Sequence, residues 1–180
     1  SQGKQTAEAL IGIEQAIRET TPDAVLALGD TNAVLSAAIA TSKMSPKFAH
    51  IEAGIRSFDR SMPEEINRVL ADQVTDLAFA PTQTAVQNLS NEGKSTNIWM
   101  VGNTVVDACI EHVPLAAEGS HIIKRLNIQP EKYAVATIHR PRNTDQDERL
   151  IRIVEALDKQ SYPVIFPIHP RTQNRLDTLE

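Results

Sequence analysis

One cysteine, Cys109, stands alone in 180 residues, so no intramolecular disulfide can form and a reducing compartment is the default. No apolar run approaches the roughly 20 residues that a bilayer span requires, and the polar opening SQGKQTAEAL is no signal peptide. An excess of positive charge is missing as well: 18 Lys and Arg against 23 Asp and Glu leave a net charge of −5. That balance offers no electrostatic footprint for nucleic acid or for an anionic membrane surface. Any phosphate site must then be local, built from a few placed arginines and helix N-termini. Gly-rich phosphate loops of the dinucleotide or P-loop type do not occur, and the histidines and Cys109 lack metal-ligand spacing. These absences predict a soluble, cytoplasmic protein with no metal or cofactor. With 41% apolar and 23% charged residues, the composition suits one packed domain or two small ones.

What is present is alternation. Ala7, Leu10, Ile13 and Ile17 fall on one helical face, and TPDAVLAL then reads as a buried strand. NAVLSAAIA is helical by composition, KFAHIEA is a strand, and PEEINRVLADQV is a helix with Pro63 in its first turn. The pattern continues through DLAFAPT, QTAVQNLSNEG, NIWMVG and TVVDACIEHV. Such βα repeats with right-handed crossovers predict an α/β fold, a Rossmann-like parallel sheet covered by helices on both faces.

The segment VPLAAEGSHIIKRLNIQPEK, with Pro114, Gly119 and Pro130, has no clean strand and marks a boundary near residues 112–120. The expected units are residues 1–115 and 116–180. In the second, YAVATIH and PVIFPIH read as strands and DQDERLIRIVEALDKQ as a helix with Leu150, Ile153, Val154 and Leu157 inward. Two strands and two helices bury too little surface to offset their chain entropy. The second unit is therefore expected to be incomplete, and the start, a helix with no strand before it, to be incomplete too.

In open parallel sheets, ligands bind outside the carboxyl ends of the strands. There the sequence places Asp30 in GDTN, Glu52 and Arg56 in EAGIRS, and Asn103 in GNTVVDA; in the second half it places His139 and Arg140 in HRPRN, and His169 in HPRT. Each has a plainer reading. Asp30 suits the N-cap of the helix starting at Asn32. Glu64 and Glu65 suit a first helical turn, where the macrodipole favours carboxylates, and Glu64–Arg68 is an i,i+4 pair. Glu52 resists such a reading, because it ends an apolar strand just before Ala53-Gly54, at a tight turn.

Together PDAVLALGDTNAVLSAAIA, HIEAGIRSFDRSMPEEINR, FAPTQTAVQNLSNEG, VGNTVVDA, TIHRPRNTD and PIHPRT resemble, in order and spacing, the non-hydrolysing UDP-N-acetylglucosamine 2-epimerases. The resemblance implies a two-domain nucleotide-sugar (GT-B-type) architecture, of which this chain supplies the later part of the first domain and the beginning of the second. It implies an isomerase of polysaccharide biosynthesis, acting on UDP-GlcNAc and UDP-ManNAc and homodimeric at full length. UDP is eliminated first, which generates cationic character at C1 and loosens the C2 proton; UDP then adds back as C2 is reprotonated on the other face. Carried over motif by motif, the catalytic residues are Asp30, Glu52, Glu64 and His139, and the substrate-binding residues Arg56, Arg140, Asn103 and His169. One position departs: Arg142 stands where family members have the Glu of His-Arg-x-Glu-Asn. A hydrolysing epimerase or glycosyltransferase of the same fold is the alternative, and a third is a catalytically inert fragment lacking the uridine pocket. The GDT, HIEAG and PEE set argues against a transferase.

Overall fold

The structure, a computed structural model, describes residues 1–179. It divides into two compact units, Ser1–Val113 and Pro114–Glu180.

In the first unit, β1 (Ala24–Leu28), β2 (Lys47–Ile51), β3 (Leu77–Ala80) and β4 (Ile98–Met100) form a parallel sheet in the order β1-β2-β3-β4. The helices α1 (Gln2–Thr20), α2 (Asn32–Thr41), α3 (Pro63–Val74), α4 (Gln83–Asn91) and α5 (Thr104–Gly119) alternate with the strands. Local chemistry explains several of these starts. Ser1 accepts the Lys4 N–H at 3.3 Å, and Thr82 accepts the Ala85 N–H at 3.2 Å. Pro63 opens α3 with its preset φ, followed by Glu64 and Glu65, whose charges suit a helix N-terminus.

The core lies on one face of the sheet. Phe48 packs with Val34, Ala37 and Ala38 of α2 and Ala71 of α3; Ala78 and Ala80 pack with Ala85 and Leu89 of α4. The strand register puts Phe48, His50, Ala78 and Ala80 on this side and leaves Leu26, Leu28 and Trp99 on the other, where they are exposed. Cover on both faces was the expectation. The sequential strand order explains the difference: right-handed crossovers that always step the same way place every connecting helix on the same side.

The break expected at residues 112–120 is a helix. α5 runs through Pro114 to Gly119, and the division between units falls inside it, after Val113. In the second unit, β5 (Ala134–Val135) and β6 (Val164–Ile165) pair in parallel beside α6 (Ile122–Arg125), α7 (Pro141–Thr144), α8 (Asp147–Asp158) and α9 (Pro170–Leu176). The two strands are shorter than YAVATIH and PVIFPIH suggest. Leu150 of α8 is fully buried, with Ile153, Val154 and Leu157 half-buried on the same stripe.

Candidate active site

The carboxyl ends of β1 and β2 meet the start of α3. Asp30, two residues beyond β1, forms an ion pair with Arg68, and its main-chain oxygen accepts from Asn67 Nδ2 at 2.9 Å. The N-cap of α2 is Thr31, without a side-chain cap bond, so Asp30 is free of the capping duty that its position suggested. Arg68 turns to Asp30, with Glu65 at 3.6 Å, rather than to Glu64 one helical turn before it.

Glu52 directly follows β2 with φ +71°. A side chain in this left-handed region costs about 1–2 kcal/mol, so the surrounding bonds must hold it there. Its Oε2 lies 3.8 Å from where a Cβ on Gly29 would sit, which leans Glu52 toward the turn carrying Asp30. Glu64 is half-buried in the first turn of α3 and shares a helix face with Arg68. The arginine that binds Asp30 thus brings Glu64's face of α3 to the same rim. Neither Glu52 nor Glu64 has a hydrogen bond or ion pair from its carboxylate among the described residues.

Neighbouring Glu65 has a different task. It is 2% exposed and accepts from Ser57 N–H at 2.8 Å, Ser57 Oγ at 3.0 Å and Phe58 N–H at 3.0 Å. Burial pushes its carboxyl up, but the bonds from Ser57 and Phe58 and the charge of Arg56 outweigh burial and hold it below the ordinary value of 4.5. Glu65 fastens the Ser57–Phe58 loop to α3.

Arg56, expected at the substrate, is buried and ion-paired within the protein. Its side chain is 1% exposed and wedged between Asp72 at 2.8 Å and Glu92, which takes Nε at 2.7 Å and Nη2 at 2.6 Å. Burial lowers the guanidinium's pKa, while Glu92 and Asp72 together raise it above its ordinary value. With its donors turned to protein acceptors, the group has the geometry of a structural clamp. Asn103, half-buried after β4, accepts the Val105 N–H at 2.9 Å and so caps α5.

In the second unit, His139 and Arg140 are exposed beyond β5, with His139 Nδ1 3.4 Å from Thr137 Oγ1. His169, also exposed, uses Nδ1 to accept the Arg171 N–H at 3.2 Å at the start of α9, leaving Nε2 outward. Arg171 grips Asp145 through both carboxylate oxygens at 2.7 and 2.8 Å. Arg142 is exposed on α7, with its main-chain oxygen 3.5 Å from Arg149 Nη1.

Three polar residues of the first unit escaped sequence reasoning: His50, Asn67 and Asp72, all buried. The available signal was spacing. Glu65 and Asp72 lie seven residues apart on the inward stripe of α3, where apolar residues are the rule. Among the described residues no group of three His, Cys, Asp or Glu is arranged to hold a metal ion, and no helix is long and apolar enough to cross a membrane.

An open parallel α/β sheet with helices alternating between its strands defines a class, the Rossmann-like domains, which bind ligands outside the carboxyl ends of their strands. The family model described as UDP-N-acetylglucosamine 2-epimerase matches residues 1–180, and the chain belongs to that family. A UDP-N-acetylglucosamine 2-epimerase homolog of Methanococcus maripaludis is 46% identical over 178 residues, 98% of this chain and 50% of the relative. The UDP-2,3-diacetamido-2,3-dideoxy-D-glucuronate 2-epimerase of Pseudomonas aeruginosa is 42% identical over 183 residues, again 98% and 50%. The crystal structure of the Methanocaldococcus jannaschii UDP-GlcNAc 2-epimerase with UDP-GlcNAc and UDP superposes with a TM-score of 0.86 at 42% identity, over 99% of this chain and 51% of that one. The chain spans about half the length of the curated relatives it matches.

Proposed function

We propose that the protein containing these residues interconverts UDP-GlcNAc and UDP-ManNAc. The C2 proton is not acidic, because no carbonyl adjoins that carbon, so a base alone is insufficient. Breaking the C1–O bond sends its electron pair to UDP and leaves positive character at C1, and C2 then releases its proton to a carboxylate. Re-addition forms the C1–O bond again while a proton reaches C2 from the opposite face. Such a sequence needs a fixed negative charge beside C1 and two proton-transfer groups.

The observation that carries this reading is the Arg68–Asp30 ion pair, which ties α3 to the turn after β1, with Glu52 leaning toward that turn and Glu64 one helical turn before Arg68. Asp30, paired with Arg68, stabilises the cationic centre. Glu52 and Glu64, unpartnered, exchange the C2 proton on the two faces. His139, catalytic by the family resemblance, contacts the departing diphosphate or shares in acid catalysis, Arg140 adds charge beside it, and His169 and the Asn103 amide serve substrate binding. The full-length protein is a cytoplasmic homodimer in this reading and serves polysaccharide biosynthesis.

The test is C2 exchange. The chain, and a chimera in which it replaces the matching half of the Methanocaldococcus enzyme, are incubated with UDP-GlcNAc in D2O. Deuterium entering C2 as UDP-ManNAc appears supports the reading; free ManNAc indicates a hydrolysing enzyme, and an inactive chimera rejects catalysis by these residues. Because one relative is named for a diacetamido-glucuronate, that UDP-sugar is the competing substrate to assay beside UDP-GlcNAc.

A further inference from the structure

Between the turns carrying Asp30 and Glu52 runs a buried chain of charge. His50, fully buried in β2, places Nε2 2.8 Å from the Gly29 main-chain oxygen and Nδ1 2.7 Å from Asp72 Oδ1. Asp72 Oδ2 accepts the Gly54 N–H at 2.9 Å and faces Arg56 at 2.8 Å. Arg56 donates to the Ile55 oxygen at 2.7 Å and ends on Glu92, the one member with substantial exposure, at 28%. Asn88 adds a bond to the Gly54 oxygen at 2.9 Å, and the Ala53 N–H reaches the Phe79 oxygen at 3.2 Å.

Both ring nitrogens of His50 face acceptors, a carbonyl and a carboxylate, and only a ring carrying both protons donates to each. Facing it are Gly29, just after β1, Asp72 from α3 and, through Asp72, Arg56; with Glu92 the chain holds an imidazole, a guanidinium and two carboxylates. Every bond it makes to the main chain falls on a residue flanking a candidate catalytic carboxylate: Gly29 before Asp30, and Gly54 and Ile55 after Glu52. Glu52 itself sits in the left-handed region with its side chain unbonded, so its placement depends on these flanking bonds.

We propose that His50, Asp72 and Arg56 are positioning residues, a buried relay that locks the Gly29–Asp30 turn and the Glu52–Gly54 turn at one separation and so sets the geometry of acid–base transfer. This rests on the reading of Asp30 and Glu52 as reacting groups. In this role Arg56 contributes to the site without touching the substrate.

The test has two arms. In the chain labelled with 15N, both His50 ring nitrogens are expected to carry protons, and Arg56→Lys is expected to shift the amide signals of Gly29 and Glu52 together, although Arg56 touches neither. In the chimera, Arg56→Lys and His50→Gln are expected to lower kcat for C2 exchange about 100-fold, the loss that a displacement near 1 Å produces, with KM nearly unchanged. Thr82→Ala, which removes only the cap of α4, is the stability control and keeps wild-type kcat. A singly protonated ring, unmoved Gly29 and Glu52 signals, or wild-type kcat in both relay variants overturns the proposal. If the unsubstituted chimera exchanges no deuterium, the catalytic reading fails by itself, and the spectroscopic arm still decides whether the relay joins the two turns.

Discussion

Gly54→Ala isolates the closeness on which the Glu52 turn depends. Gly54 is buried at φ +79°, and a Cβ there would lie 2.2 Å from the Ala85 oxygen, 2.8 Å from the Ala85 carbon and 2.9 Å from Leu89 Cγ. Two of these atoms are main chain of α4, so no rotamer change relieves the contact. The left-handed conformation costs alanine about 1–2 kcal/mol and overpacking adds about 1–3 kcal/mol, for a total of about 2–5 kcal/mol. Gly93→Ala is the internal control: φ is +92° but nothing lies within 4 Å, so the conformational cost of about 1–2 kcal/mol stands alone. Trp99, the single tryptophan, packs on Phe79 in the same sheet, so urea unfolding followed by its fluorescence reports this unit. With a slope of about 2 kcal/mol per molar urea, Gly54→Ala should lower the midpoint by about 1–2.5 M, and by about 0.5–1.5 M more than Gly93→Ala. Equal midpoints for the two variants would refute the claim that α4 and the Glu52 turn touch backbone to backbone.

Other expectations concern single groups. Glu65, whose carboxyl is held below 4.5, contributes stability that is complete above that pH and is lost as pH falls through its lower folded value. Glu65→Gln should therefore flatten the acid limb of a stability–pH curve, and an unchanged limb counts against the Ser57–Phe58 clamp. Thr82→Ala should cost about 1 kcal/mol in urea unfolding through the lost cap of α4. Arg171→Ala, which removes an exposed pair with Asp145, should cost less than about 1 kcal/mol, and a loss above 2 would mean that this pair is more than a surface contact. Glu52→Gln and Glu64→Gln should each abolish C2 exchange in the chimera while leaving thermal unfolding within a few degrees, since neither carboxylate has a bonded partner to lose.

Much of the fold is legible in the residues. The apolar runs AVLAL and KFAHI, the Pro-Glu-Glu start of α3 and the inward stripe of α8 locate their elements closely, because period and capping are local signals. The one-sided cover is not legible, since it depends on strand order, a property of pairing rather than of any segment. α5 defeats the proline rule for a similar reason: Pro114 lies inside a helix that continues to Gly119. At the candidate site, Asp30, Glu52 and Glu64 stand out because they follow apolar runs or open a helix. The assignment of Arg56 to the substrate fails to foresee Asp72 and Glu92, which lie 16 and 36 positions away in the chain and meet it only after folding.

Sequential strand order has a consequence for how this rim can change. Each βα unit delivers its own turn to the same edge, so in principle one turn can be exchanged for a homologue's without disturbing its neighbours. The turns after β1 and β2 are the exception, because His50 bonds Gly29 in the first and, through Asp72, is tied to Gly54 in the second. They form one heritable module, and a graft that moves either without the other carries half of a lock.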